Sequence, residues 1–179
     1  MNSRVKNVQL KILSRGFLIG HLENRGIICK YIINVNSMEK QYKLLIFLSR
    51  VAFGWMFFYA GITKVLNPAW SAGGYLRNAK TLGGVYNWLG SAGNIGWVNF
   101  VNEWGLTLAG AMLILGLGFR YAVYFLMGLM FLYYLPVLHF PYVGEHSFLI
   151  DEHILYILSL GVLLYVKAGE VWGLARKTF

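Results

Sequence analysis

The amino-acid sequence predicts an all-α membrane protein. Its fold class is a bundle of four transmembrane helices with a long Gly/Trp-rich outer loop between the first and second spans. Three observations carry that prediction. Hydrophobic residues make up 58% of the chain and charged ones only 13%, where soluble domains run at about a quarter charged. The mean hydropathy is +0.55. The apolar residues also gather into windows close to the roughly 20 residues that carry a helix across about 30 Å of hydrocarbon.

The first span is LLIFLSRVAFGWMFFYAGITKVL, Leu44–Leu66. The outer loop Asn67–Trp97 follows, holding Trp70, Trp88 and Trp97. Pro68 suits the first turn of a helix capped by Asn67, so AWSAGGYLRNAK is expected to form a short one. Indole rings favour the membrane interface, and the loop therefore reads as a cap on the outer surface, part helical and part glycine-hinged. The second span is Val98–Gly118 and the third Tyr121–Leu138; the few residues around Gly118-Phe119-Arg120 make them antiparallel neighbours. Pro136 frees a backbone carbonyl and bends the third span near its outer end. The fourth and shortest span is Ile150–Val166. Gly54, Gly61, Gly105, Gly110 and Gly128 are the expected points of close helix approach. Trp104, Tyr133 and Tyr134 are assigned to an outer aromatic belt, Tyr165 and Trp172 to an inner one.

Loop charges set the expected orientation. Arg4, Lys6, Lys11, Arg15, Arg25, Lys30, Lys40 and Lys43 all precede the first span. Arg120 lies in the second turn, and Lys167, Arg176 and Lys177 in the tail, whereas His139–Leu149 has neither lysine nor arginine. Both termini are accordingly placed in the cytoplasm, with the protein multi-pass in the cytoplasmic (inner) membrane. The net charge of +9 is then an orientation signal and argues against a nucleic-acid partner. A single cysteine, Cys29, excludes an internal disulfide and any cysteine-based metal site. Residues 1–37 lack the unbroken apolar core of a signal peptide. They read as a basic N-terminal extension, arising from an alternative start or forming a mobile arm, with a basic amphipathic targeting segment as the other reading. Residues 38–179 form the membrane domain.

Ionisable residues inside a membrane are expensive and tend to face protein or water. Arg50 and Lys64 stand 14 residues apart, about 21 Å at 1.5 Å per residue, on one stripe with Gly54, Phe57 and Gly61. Arg50 falls near the cytoplasmic end, where snorkelling is its simplest role. Glu103 opens the second span on a face with Thr107 and Gly110; His139 ends the third; Asp151, Glu152 and His153 open the fourth. Lys64, Glu103, His139, Asp151 and His153 therefore converge at the outer end. On the fourth helix Asp151 is expected to face inward with Leu155 and Leu158 and to pair with Lys64. Glu152, about 100° around, is expected to be a solvated first-turn acid. His139 and His153 lack ligand spacing, so a hydrogen-bonded structural role outranks a haem or metal between helices.

FYAGITKVLNPAWSAGGYL, NEWGLTLAGAMLILGLGFR, MGLMFLYYLP and FLIDEHILYILSL, in that order and spacing, resemble the DoxX/DoxD family of small four-helix membrane proteins. The resemblance runs from about Met38 to Trp172. It implies a subunit of a membrane redox system of the thiosulfate:quinone oxidoreductase kind, moving electrons from thiosulfate to quinone. On that reading Lys64, Glu103, Asp151 and His153 are the candidate catalytic residues, Arg50 and His139 weaker candidates for binding the quinone. Quinone is the expected cofactor or co-substrate; no haem, flavin or metal motif is present. The partners are the lipid bilayer, a second membrane or soluble redox subunit, and further copies of the chain. The rival reading is a non-catalytic anchor or assembly subunit for a soluble redox partner.

Overall fold

The structure, a computed structural model, describes residues 37–143 and 147–174. The expected extension, residues 1–37, lies outside them apart from Ser37. The first element is α1 (Ser37–Val65). The chain divides after Leu44; before that point the described residues are the opening turns of α1, where Lys43 pairs with Glu39 at 2.6 Å.

From Leu45 onward the rest of α1 is followed by two short helices, α2 (Gly73–Arg77) and α3 (Gly83–Leu89). Two long ones come next, α4 (Ile95–Leu115) and α5 (Phe119–Val137). A two-stranded ladder pairs β1 (Leu138–His139) with β2 (Tyr142–Val143), Leu138 opposite Val143. The last helix is α6 (Glu152–Tyr165), and a single 3-10 turn, Ala168–Glu170, follows it.

Three helices, α1, α4 and α5, are long and apolar enough to cross a membrane. The expected fourth span is shorter: the 14 residues of α6 rise only about 21 Å. Its ends explain why. Asp151 has extended backbone angles and caps the first turn with its side chain, and Lys167, at φ +51°, turns the chain out of the helix after Tyr165. All four helices nevertheless share one apolar core. Phe57 of α1, Leu113 of α4, Val123 and Leu126 of α5 and Leu160 of α6 meet in it, the last four fully buried. Between helices in lipid, such packing is driven by van der Waals fit rather than by water.

Glycine decides how closely α1 and α4 approach. A Cβ on Gly61 would collide with the Thr107 backbone nitrogen and lie 2.9 Å from the Glu103 carbonyl oxygen; one on Gly110 would strike the Phe58 backbone and lie 2.8 Å from the Gly54 carbonyl oxygen. Gly54 packs on Ile114, and Gly105 meets the Phe125 ring. Gly128, expected in the same role, has open space where its Cβ would be. At the α4–α5 turn, Gly116 and Gly118 hold φ of +69° and +56°, left-handed values that an L side chain seldom adopts. This turn and the end of α6 define the turn end of the bundle.

At the opposite end, α2 and α3 form a cap with its own small core: Ala72, Leu76 and Tyr86 pack against Val98 of α4. The expected AWSAGGYLRNAK helix is reduced to Gly73–Arg77, because Asn67 caps only a local turn, its Oδ1 accepting from the Ala69 amide at 3.2 Å. Pro136 accounts for how the cap is held. Lacking an N–H, it leaves the Leu132 carbonyl without its helical donor, and the Tyr86 hydroxyl donates to that oxygen at 2.9 Å. The Lys80 amide donates to Pro136 O at 2.9 Å, the Thr81 hydroxyl to Leu138 O and the Tyr75 hydroxyl to Tyr133 O. The cap thus satisfies the carbonyls at the bent end of α5.

Candidate functional site

Asp151 is the organising residue of the cap end. Its Oδ1 accepts from the backbone amides of His153 (3.0 Å) and Ile154 (3.2 Å), the pattern of an N-cap. Its Oδ2 lies 2.6 Å from His153 Nδ1. The two side chains are only 10% and 17% exposed. With Nδ1–H donating to the carboxylate, the imidazole is held in one orientation and its Nε2 is left to take or give a proton.

The His153 ring stands edge-on to Tyr133, centroids 6.0 Å apart, and Tyr133 is in turn edge-on to Tyr75 of the cap at 6.2 Å. The Tyr133 hydroxyl donates to Asn102 Oδ1, and Asn102 Nδ2 donates to the Val98 carbonyl at 2.8 Å. Burial, then Tyr86, then the Asp151 carboxylate push the Tyr75 phenol up to about 12. Burial likewise raises that of Tyr86.

Among the described residues, no hydrogen bond or ion pair joins the other expected site residues to this dyad. Lys64 forms no ion pair with Asp151 or Glu103; among the described residues the ion pairs are Lys43–Glu39 and Asp151–His153. Instead its ammonium folds back onto the Ala60 carbonyl at 2.7 Å and lies 5.3 Å from the Trp70 ring centroid. Glu103 is half-buried, and its backbone carbonyl accepts from the Thr107 hydroxyl at 2.7 Å. His139 is exposed on β1. The face of α6 also differs from expectation: Leu155 and Leu158 are exposed at 55% and 58%, while Tyr156, Ile157 and Leu160 pack inward. Helical rotation puts His153 on that inner face, and Asp151 reaches it from the cap position. Glu152 is exposed, as expected of a solvated first-turn acid.

Arg50 lies at the turn end and is fully buried. Its Nη1 donates to the carbonyls of Ala168 (2.8 Å), Gly169 (3.4 Å) and Val171 (2.9 Å). These oxygens carry the partial negative charge of a terminating helical segment and answer the cation in place of a carboxylate. Phe47 lies 5.2 Å beneath the guanidinium, and Trp172 packs edge-on to Phe47. Arg50 therefore does not snorkel; it locks the chain after α6 onto α1.

Three members of the cap-end cluster, Asn102, Tyr133 and Tyr75, are absent from the sequence-based set. Asn102 had a legible signal, a second polar side chain in an apolar run beside Glu103, and it is 6% exposed. Tyr133 and Tyr134 had the opposite signal, since aromatic residues at a span end read as an interfacial belt. Both turn inward, Tyr134 donating to Leu149 O at 2.7 Å.

Long apolar helices, a shared core and half-buried polar groups at the helix ends define a multi-pass α-helical membrane protein. The DoxX family model matches residues 45–139, more than half of the chain, and the protein belongs to that family, one of membrane proteins often of redox-related function. Comparison with curated proteins and with solved structures gives no match.

Proposed function

We propose that the protein is the membrane subunit of a quinone-linked redox system, in which Asp151 and His153 exchange protons with the quinone at the cap end of the bundle. The observation that carries this reading is the 2.6 Å carboxylate–imidazole contact, nearly shielded from solvent at the end of membrane helices. Reduction of a quinone takes two electrons and two protons. A lipid-borne ring arriving beside α5 and α6 meets an oriented imidazole able to hand a proton to its oxygen, with the Asp151 carboxylate balancing the imidazolium. The electrons come from a reduced sulfur compound of the thiosulfate class, by way of a partner subunit. The Lys64 ammonium, beside Trp70 under the cap, supplies attraction for such an anion. In this reading α6 completes a fourth crossing, the cap faces outward and the turn end, with Arg120 and Lys167, faces the cytoplasm of a cell membrane.

The test uses the full chain in lipid nanodiscs, titrated with a short-chain quinone and read by tryptophan fluorescence quenching. Thiosulfate-dependent quinone reduction is then measured in membranes. Wild type is expected to bind the quinone, and His153→Gln is expected to lose turnover by about 10²-fold or more, the usual contribution of general acid–base catalysis. Co-purification of a stoichiometric soluble partner with no quinone binding would transfer the case to an anchoring subunit.

A further inference from the structure

The turn end holds a cavity of about 710 Å³, far from the Asp151–His153 dyad and lined by the start of α5, the end of α6 and the 3-10 turn. Its polar lining is mainly cationic. Arg120 and Lys167 both border it and both are exposed, against the single carboxylate of Glu170. Neither cation is paired with a carboxylate among the described residues. The fully buried Arg50 stands directly behind two wall residues: its Nη1 is 3.4 Å from Gly169 O and 3.0 Å from the place a Cβ on Gly116 would occupy. The α5 N-terminus also opens here, with Gly118 at its cap position and no side chain satisfying its first amides. Two exposed cations against one carboxylate leave this lining net positive; the C-terminal ends of α4 and α6 offset the α5 N-terminus, and the buried Arg50 is answered by its carbonyls.

The remaining wall is aromatic and aliphatic. Tyr121, Tyr124 and Leu164 border the same space, and Tyr121 and Tyr124 are 79% and 61% exposed. On a helix long enough to span a membrane, exposed tyrosines within the first two turns lie at the lipid headgroup level.

We propose that this cavity binds an anionic phospholipid, its headgroup phosphate between Arg120 and Lys167 and its acyl chains along the Tyr121–Tyr124 face of α5. An inorganic anion would satisfy the two cations but leave the tyrosine and leucine wall uncovered. A zwitterionic lipid would bring its own ammonium against Arg120 and Lys167. Charge and shape together favour the anionic amphiphile.

The experiment is lipid binding to the full chain in detergent, by native mass spectrometry and by thermal shift. The probes are dioleoylphosphatidylglycerol, dioleoylphosphatidylcholine and millimolar inorganic phosphate. Phosphatidylglycerol is expected to bind and stabilise more than phosphatidylcholine, with inorganic phosphate giving little. Arg120→Gln and Lys167→Gln should each weaken phosphatidylglycerol by about fivefold, the usual effect of one basic residue at an anionic surface. Lys80→Gln, the same loss of charge on the cap, should leave it unchanged. Both test positions are exposed, so loss of fold is not expected, and the melting temperature of each lipid-free variant checks this. Equal binding of the two lipids, an equal loss in Lys80→Gln, or inorganic phosphate matching the lipid would each overturn the proposal.

Discussion

Replacing Asp151 separates the two roles that its carboxylate combines. Asp151→Ala removes an acceptor from two backbone amides and from His153 Nδ1. Loss of an N-cap costs typically about 1 kcal/mol, and loss of a charge-assisted hydrogen bond between poorly exposed groups about 1.5–3 kcal/mol, so the variant should lose about 2.5–4 kcal/mol. Asp151→Asn keeps a good capping oxygen and surrenders only the ionic part of the imidazole contact, for about 1–2 kcal/mol. Glu152→Gln, next along the helix but exposed, should cost under about 1 kcal/mol. Thermal melts of the three variants in one detergent, followed by far-ultraviolet circular dichroism, rank them. Turnover should rank them differently: Asp151→Asn, the more stable of the two Asp151 variants, should be impaired almost as severely as Asp151→Ala, because both leave His153 without its anionic partner. The reasoning fails if Asp151→Ala melts with Glu152→Gln, for then neither the cap nor the dyad contributes to holding α6.

Gly110→Ala drives a methyl group into the Phe58 backbone and should destabilise the bundle by about 1–3 kcal/mol, while Gly128→Ala, facing open space, should be neutral; paired melts check both. Arg50→Met leaves the carbonyls of Ala168, Gly169 and Val171 without their donor, at a cost of about 3 kcal/mol, and should speed amide exchange in residues 168–174 while sparing α4. The Tyr75 phenol, raised from 10.0 to about 12, favours the folded state fully below pH 10, and that contribution fades as pH rises through about 12. An ultraviolet titration should therefore lose the amplitude of one late-ionising tyrosine in Tyr75→Phe, the raised Tyr86 phenol remaining, and an unchanged late amplitude there would reassign the signal. In a Cys29→Ser background, a cysteine at Lys80 should react with an impermeant thiol reagent added outside the cell and one at Glu170 should not; the reverse pattern would invert the orientation.

Hydropathy and charge spacing are local properties of a chain, and what depends on them was legible in the amino acids alone. They mark the long apolar helices and the carbonyl freed at Pro136. Glu152 as a solvated first-turn acid is of the same kind, because its place on the helix needs no partner. The partners themselves were not legible. Which face of α6 turns inward depends on the fit of Tyr156, Ile157 and Leu160 against the other helices, and a rotation of one residue separates that face from the Leu155–Leu158 alternative. Asp151 meets His153 rather than Lys64 because the cap position aims its carboxylate back along its own helix, while the Lys64 ammonium finds a carbonyl one turn away. Arg50 looks like a snorkelling cation until the carbonyls after α6 fold over it, and Tyr133 looks like a belt residue until Asn102 and the cap enclose it. The Asp151 and Lys64 contacts stay within one helix, whereas those of Arg50 and Tyr133 join residues far apart in the chain, which only tertiary packing brings together.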